Sequence, residues 1–249
     1  MGRILKPVLF FIAAVLAILV IAVIAVAVMF DPNDYREEIE STVQETTGRE
    51  LVIEGEIGMA IFPWVAIEVG KSRLGNGAGF GDEPFASFDE ASLSVRLMPL
   101  LLRRDVQITT AELVGLDLNL AINRNGRSNW QDFIDAAEAK ESQEAADEDQ
   151  GDTASGGLDV AGVKVLNSSI SYVDAQAGSD VQLSDLNITM GNITGSDGAI
   201  HLDGFSIEAL LEGVAEMPTT FGLESESVDV DTEAETIALD AIDLELLGL

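Results

Sequence analysis

The chain has 249 residues, 13 Lys or Arg against 44 Asp or Glu, a formal net charge of −31, no Cys and one His. A surface this acidic repels a phosphate backbone, which excludes nucleic acid as a partner. The absence of Cys excludes disulfide stapling, and one His leaves no ligand set for zinc or iron.

Residues 1–7 form a short basic tail with Arg3 and Lys6. Residues 8–30, Val8 to Phe30, carry no charged or polar side chain. As a helix this run reaches about 34 Å, enough to cross a hydrocarbon core. Bases precede it and Asp31, Asp34, Glu37, Glu38 and Glu40 follow it. The positive-inside bias therefore predicts a single-pass anchor with a cytoplasmic N-terminus and an external body. Ala25-Val26-Ala27 also fits a signal-peptidase site. The apolar run is longer than a usual signal h-region, however, and no polar segment precedes that site, so an uncleaved anchor is the expectation.

Asp31-Pro32 marks a helix start, with Asp31 as cap and Pro32 in the first turn. Tyr35, Ile39 and Val43 recur every fourth residue and predict a short amphipathic helix ending at Gly48. From Leu51 the period becomes two. Leu51, Ile53 and Ile57 begin a series continued by Met59, Ile61, Val65, Ile67 and Val69, by Leu93, Val95 and Leu97, and by Leu116, Leu118, Leu120 and Ile122. These predict half-buried antiparallel strands, with Gly75-Asn76-Gly77 and Asn125-Gly126 as turns and 98–102 as a connector or brief helix. Residues 136–157 are rich in Ala, Glu, Asp, Gly and Ser and read as an acidic flexible linker. It separates a first strand-rich unit, 31–135, from a second, 158–249.

In the second unit the apolar parity changes within single segments. Val181 and Leu183 fall out of phase with Leu186, Ile188 and Met190, as do Ile200 and Leu202 with Phe205 and Ile207. Leu239 is likewise out of phase with Ile242, Leu244 and Leu246. A one-residue slip swaps faces, so a bulge or bend is expected at each change. The resulting fold class is mainly β: a membrane-spanning helix and an amphipathic helix, then a curved, groove-like antiparallel sheet in two strand-rich units.

The chain offers little chemistry. His201 stands alone in a strand pattern, and no nucleophile motif lies nearby. Gly75 to Gly81 lacks the Lys-Ser/Thr end of a phosphate loop. Asp229, Asp231 and Glu233 start like a calcium loop, but Ala234 occupies the position that requires Gly. No catalytic, cofactor-binding or metal-binding residue is expected, and the protein reads as a non-enzyme. Phe62, Trp64, Phe80 and Phe85 form a candidate membrane-proximal aromatic group, with core packing as the ordinary alternative.

Several short runs carry a resemblance in combination: Phe30-Asp31-Pro32-Asn33-Asp34-Tyr35, Thr47-Gly48-Arg49-Glu50-Leu51 and Phe62-Pro63-Trp64. To these add Leu74-Gly75-Asn76, Gly79-Phe80-Gly81, Glu83-Pro84-Phe85-Ala86, Pro99-Leu100-Leu101 and Arg124-Asn125-Gly126-Arg127-Ser128-Asn129-Trp130. In this order, over about residues 1–135, the chain resembles the AsmA family. A looser likeness resumes at Val160-Ala161-Gly162-Val163 and Leu183-Ser184-Asp185-Leu186. The resemblance implies a bacterial inner-membrane protein with a periplasmic β-rich body and a role in outer-membrane biogenesis. It also implies kinship with chorein-type proteins that conduct phospholipids in an apolar β-groove. Leu51, Ile53, Ile61, Val65, Leu116, Leu118 and Leu120 are the candidate lining positions. The competing expectation is an assembly scaffold for envelope proteins, with a closed, dry core and no lipid.

Overall fold

The computed structural model describes residues 31–61, 64–103, 106–135, 158–196, 199–213, 218–231, 234 and 236–248. The expected membrane span, Phe62 and the 136–157 linker lie outside the described residues. Asp31 caps the first turn by accepting a hydrogen bond from the Asn33 backbone N–H at 2.9 Å. A 3-10 turn, Pro32–Tyr35, leads into helix α1, Arg36–Thr47. Gly48, at φ +72°, ends the helix and donates its N–H to the Gln44 carbonyl. Start and stop are those the sequence predicts.

The rest is one sheet of fourteen strands: β1 Leu51–Ile53, β2 Ile57–Ala60, β3 Trp64–Leu74, β4 Ala86–Arg96, β5 Ile108–Val114, β6 Asp117–Ile122 and β7 Leu158–Val160 come first. Then follow β8 Val163–Asp174, β9 Ser179–Met190, β10 Ile193–Ser196, β11 Ala199–Glu212, β12 Thr219–Asp231, β13 Thr236–Asp240 and β14 Asp243–Gly248. Helix α2, Leu97–Arg103, fills the expected connector. Successive short strands lie end to end against a common neighbour, so β1 with β2, β5 with β6, β7 with β8, β9 with β10 and β13 with β14 each make one row. The sheet is thus nine rows laid side by side in chain order.

The expectation of a purely antiparallel sheet is corrected at one seam. The fourth row (β5, β6) runs parallel to the fifth (β7, β8), at a constant offset of 52 residues from Ile108↔Val160 to Ile122↔Asp174. Antiparallel neighbours can be joined by a tight hairpin, whereas a parallel pair needs a long crossover. The stretch between Ile122 and Leu158 has that length. One continuous sheet therefore runs through both strand-rich units.

Each parity change in the second unit coincides with a bulge or bend. Asp185 has φ +51° where β9 slips against β8 and β11. Gly204 has φ +73° between Leu202 and Phe205, and Ala241 has φ +50° between Leu239 and Ile242. Gly115 (φ +66°) and Asn167 (φ +51°) repeat the device on the two sides of the parallel seam. An inserted left-handed residue resets the pleat, so the apolar side chains after it return to the face used before it. Gly191 is required for a different reason: a Cβ there would sit 1.7 Å from the Asp203 carbonyl oxygen of the adjoining row.

The edge of the first row is closed by side chains from the N-terminal helical segment. Asn33 accepts from Ile57 N–H at 2.9 Å and donates to the Ile57 carbonyl at 3.1 Å. Glu40 accepts from Ile53 N–H at 2.8 Å, and Arg36 donates to the Gly55 carbonyl at 2.7 Å. Backbone groups that would otherwise template another strand are thereby occupied.

Candidate functional site: an open apolar face

Residues directly opposite in neighbouring strands share a face of the sheet. Following the register from row to row gives an unbroken apolar ladder: Ile57, Val69, Ala91, Leu113, Val165, Ile188, Ile207, Leu223 and Leu244. It crosses all nine rows, about 38 Å at the usual inter-strand spacing. A second ladder runs through Val65, Val95, Ile108, Val160, Ile193, Leu202, Val228 and Leu239. A third joins Leu51, Leu74, Ala86, Leu118, Ile170, Leu183 and Leu211. The first and second share a face in β3, where Val65 and Val69 lie four residues apart, and the first and third share a face in β11, where Ile207 and Leu211 do. The bulged residues run between the ladders and hold them on that face.

This face is not covered by a second layer among the described residues. Among the described residues the buried apolar side chains are Ile53, Ile57, Val160, Leu186 and Ala209. Ile67 is 47% exposed and Leu93, directly opposite it, 41%, both near the middle of long strands. Two packed apolar layers would bury such side chains to native core density. An apolar face of this length, half-exposed over most of its course and buried at Ile57 and Val160, marks an interaction site.

The lining positions expected from sequence fall in different places. Leu51 and Leu118 belong to the third ladder and Val65 to the second. Ile53 is buried opposite Ser72. Leu120 pairs with Tyr172, whose ring lies 6.4 Å from that of Trp130. Leu116 sits at the bulge and donates its N–H to Ser168 Oγ, while Ile61 is half-buried just beyond β2. Of the expected aromatic group, Trp64 is 51% exposed at the start of β3 and Phe80 half-buried in a turn. The ladder members of the second unit are absent from the sequence-based set. Their signal was the parity changes themselves, which mark where a single face is being preserved.

Phe85 belongs to a clasp that closes the first unit. The Arg49 guanidinium lies against two rings that also touch each other, 4.5 Å from the Phe85 centroid and 4.3 Å from that of Phe133, the two centroids being 5.4 Å apart. It also holds both carboxylate oxygens of Asp132, at 2.6 and 2.9 Å, and donates to the Asn129 carbonyl. Arg49 holds the Asp132 carboxyl below its ordinary range by hydrogen bonding and charge. Asn129 is itself buried, accepting from Ala121 N–H and donating to the Asn119 carbonyl and to Asn76. The Arg124–Trp130 loop is thus stitched back into the sheet.

His201 and two carboxylates lie on the opposite, polar face. Its Nδ1 is 2.6 Å from Asp229 Oδ1 and its Nε2 3.0 Å from Asp203 Oδ1. Both hydrogen bonds favour the imidazolium and raise its pKa above 6.5, that of Asp229 contributing most. The attraction is therefore fully present below pH 6.5 and fades as pH rises through the higher folded value. The expected result is a His201 titration, followed by NMR, with a midpoint above 6.5 that Asp229→Asn brings down.

The AsmA family model matches residues 1–199 of the chain. The chain belongs to the AsmA family. The match spans the capped helix, the clasp, the parallel seam and six of the nine rows. AsmA membership supports a general envelope-related role. No curated protein matches the sequence. No helix of the described residues is long and apolar enough to cross a membrane.

Proposed function

We propose that this AsmA-family protein is a non-enzymatic, single-pass inner-membrane protein. Its periplasmic sheet binds phospholipid acyl chains and supports their passage toward the outer membrane. The observation that carries this reading is the edge-to-edge apolar ladder with its two shorter companions, which no second layer covers among the described residues. Such a face replaces the bilayer as solvent for lipid tails, because burying acyl methylenes there removes them from water. The acidic side chains on the other face keep the protein hydrated.

The helical segment supports an orientation. The apolar run ends at Phe30, and Tyr35 at the end of the 3-10 turn continues into Ile39 and Val43 on α1 as one apolar stripe, with Tyr35 47% and Ile39 40% exposed. Asn33, Arg36 and Glu40 meanwhile bind the first row. The first row then faces the bilayer and the ladders lead away from it, so acyl chains enter at Leu51 and Val65. Lipid extraction from the full chain purified in detergent, followed by mass spectrometry, tests the proposal. Co-purifying phospholipid is the expected result, and protein that carries none at any detergent concentration overturns it.

A further inference from the structure

Two stretches of the first unit depart from the charge of the rest of the chain. Ile57 to Ile67 carries no charged residue, and Ala91 to Arg104 carries Arg96, Arg103 and Arg104 with no acid. Three of the 13 Lys or Arg thus fall in one short connector of a chain whose net charge is −31. The fold brings the two stretches to one corner of the sheet. Trp64 at the start of β3 stands directly opposite Arg96 at the end of β4. Arg96 in turn donates its backbone N–H to the Gln107 carbonyl at 2.9 Å and its guanidinium to Gln107 Oε1 at 3.1 Å. Helix α2 follows Arg96 directly, and Val106 precedes Gln107 on the way into β5.

The apolar side chains of this corner are turned to solvent. Trp64, Met98 and Val106 are exposed, and Leu102 is 79% exposed. Met98 and Leu102 lie four residues apart, on one side of α2. Single exposed apolar residues are ordinary, but four large ones at one end of three adjacent strands form a patch. An indole, aliphatic chains and guanidinium groups together suit a membrane interface. The ring sits at headgroup level, the aliphatic chains reach the acyl boundary and the cations meet phosphate.

The course of the chain brings a bilayer within reach. The apolar run ends at Phe30, and Asn33, three residues on, holds Ile57 at the head of β2. From there β2 runs about 10 Å to Ala60, toward the corner. The fourth row lies about 14 Å from the first at the usual strand spacing, so one plane can meet the first row and the corner together.

We infer that this corner, Trp64 with Met98, Leu102, Val106 and the arginines of the connector, docks on an anionic phospholipid surface. That surface is the outer leaflet of the membrane that residues 8–30 are proposed to span. A single span leaves the body free to swing, and this second contact fixes the tilt of the sheet. The inference rests on the proposed span, but not on passage of acyl chains along the ladders.

The test uses the full chain carrying Trp130→Phe, which leaves Trp64 as its sole Trp. It is reconstituted into vesicles of equal parts phosphatidylcholine and phosphatidylglycerol, with or without bromine on the acyl chains. Flotation on a density gradient reads the span, and quenching of Trp64 by bromine reads the docking. The chain should float, and its emission should fall by roughly half in brominated vesicles. The double variant Met98→Glu, Leu102→Glu should float but lose the quenching, and Arg96→Gln or vesicles of phosphatidylcholine alone should weaken it. All three substitutions are at exposed positions, and an unchanged thermal midpoint checks that the variants fold. A floating chain with equal emission in both vesicles overturns the docking while the span stands, and points the patch at a protein partner instead. A chain that does not float removes the span and the inference with it. Quenching that survives the double variant, or is undiminished in phosphatidylcholine alone, also overturns the inference.

Discussion

Arg49→Ala is expected to cost about 3 kcal/mol of stability, the low end for breaking a buried ion pair. For a body of this size that lowers the thermal midpoint by about 6–12 °C, read by circular dichroism on the full chain in detergent. The cost has three sources. Arg49 is fully buried, with its side chain 1% exposed, so truncation leaves a void beside the Phe85 and Phe133 rings. Two cation–π contacts are lost. The Asn129 carbonyl loses its donor, loosening the loop that feeds Asn129 into the sheet. Asp132 is 36% exposed and rehydrates once Arg49 is gone, so Asp132→Asn costs less than Arg49→Ala. Arg49→Lys recovers little, since an ammonium cannot hold both carboxylate oxygens while also lying against two rings. The clasp also has an acid limit. Because Arg49 lowers the Asp132 pKa from 3.8, its contribution is complete above that value and disappears as pH falls through the lowered one. The variant loses this step of the acid-unfolding curve.

Leu93→Asp separates an open apolar face from a closed core. Leu93 is 41% exposed, so its carboxylate can reach water and the fold should survive with a midpoint within a few degrees of the parent. Bound phospholipid should fall at least tenfold, because a charge in the path of an acyl chain must be desolvated with no partner. Tenfold corresponds to about 1.4 kcal/mol. Leu186→Asp is the contrasting variant: at 2% exposure a carboxylate has nowhere to go, and unfolding is expected. If Leu93→Asp unfolds the protein as Leu186→Asp does, the apolar face is a packed core and the lipid reading fails.

Local chemistry was legible from the residues. The cap at Asp31, the stop at Gly48 and the bends near Asp185, Gly204 and Ala241 all follow from short patterns. What pairs at long range did not. Arg49 and Asp132 are 83 residues apart, and nothing in either neighbourhood announces the other. The parallel seam was hidden for a related reason: a half-buried strand reads the same whichever direction its neighbour runs. The ladders were hidden because they are a property of register, and register belongs to pairs of strands.

The parallel seam also bears on how the chain assembles. Most rows meet the next through a short turn, such as the four residues between Asp174 and Ser179. The fourth and fifth rows meet only after the 35 residues between Ile122 and Leu158 are closed into a loop. By polymer scaling this closure costs about 2 kcal/mol more than a four-residue turn. Hairpins on either side therefore form early, and docking of Ile108–Ile122 against Val160–Asp174 is the late step. Until then each half presents an unpaired central strand, the period in which the nascent protein is most exposed to wrong partners.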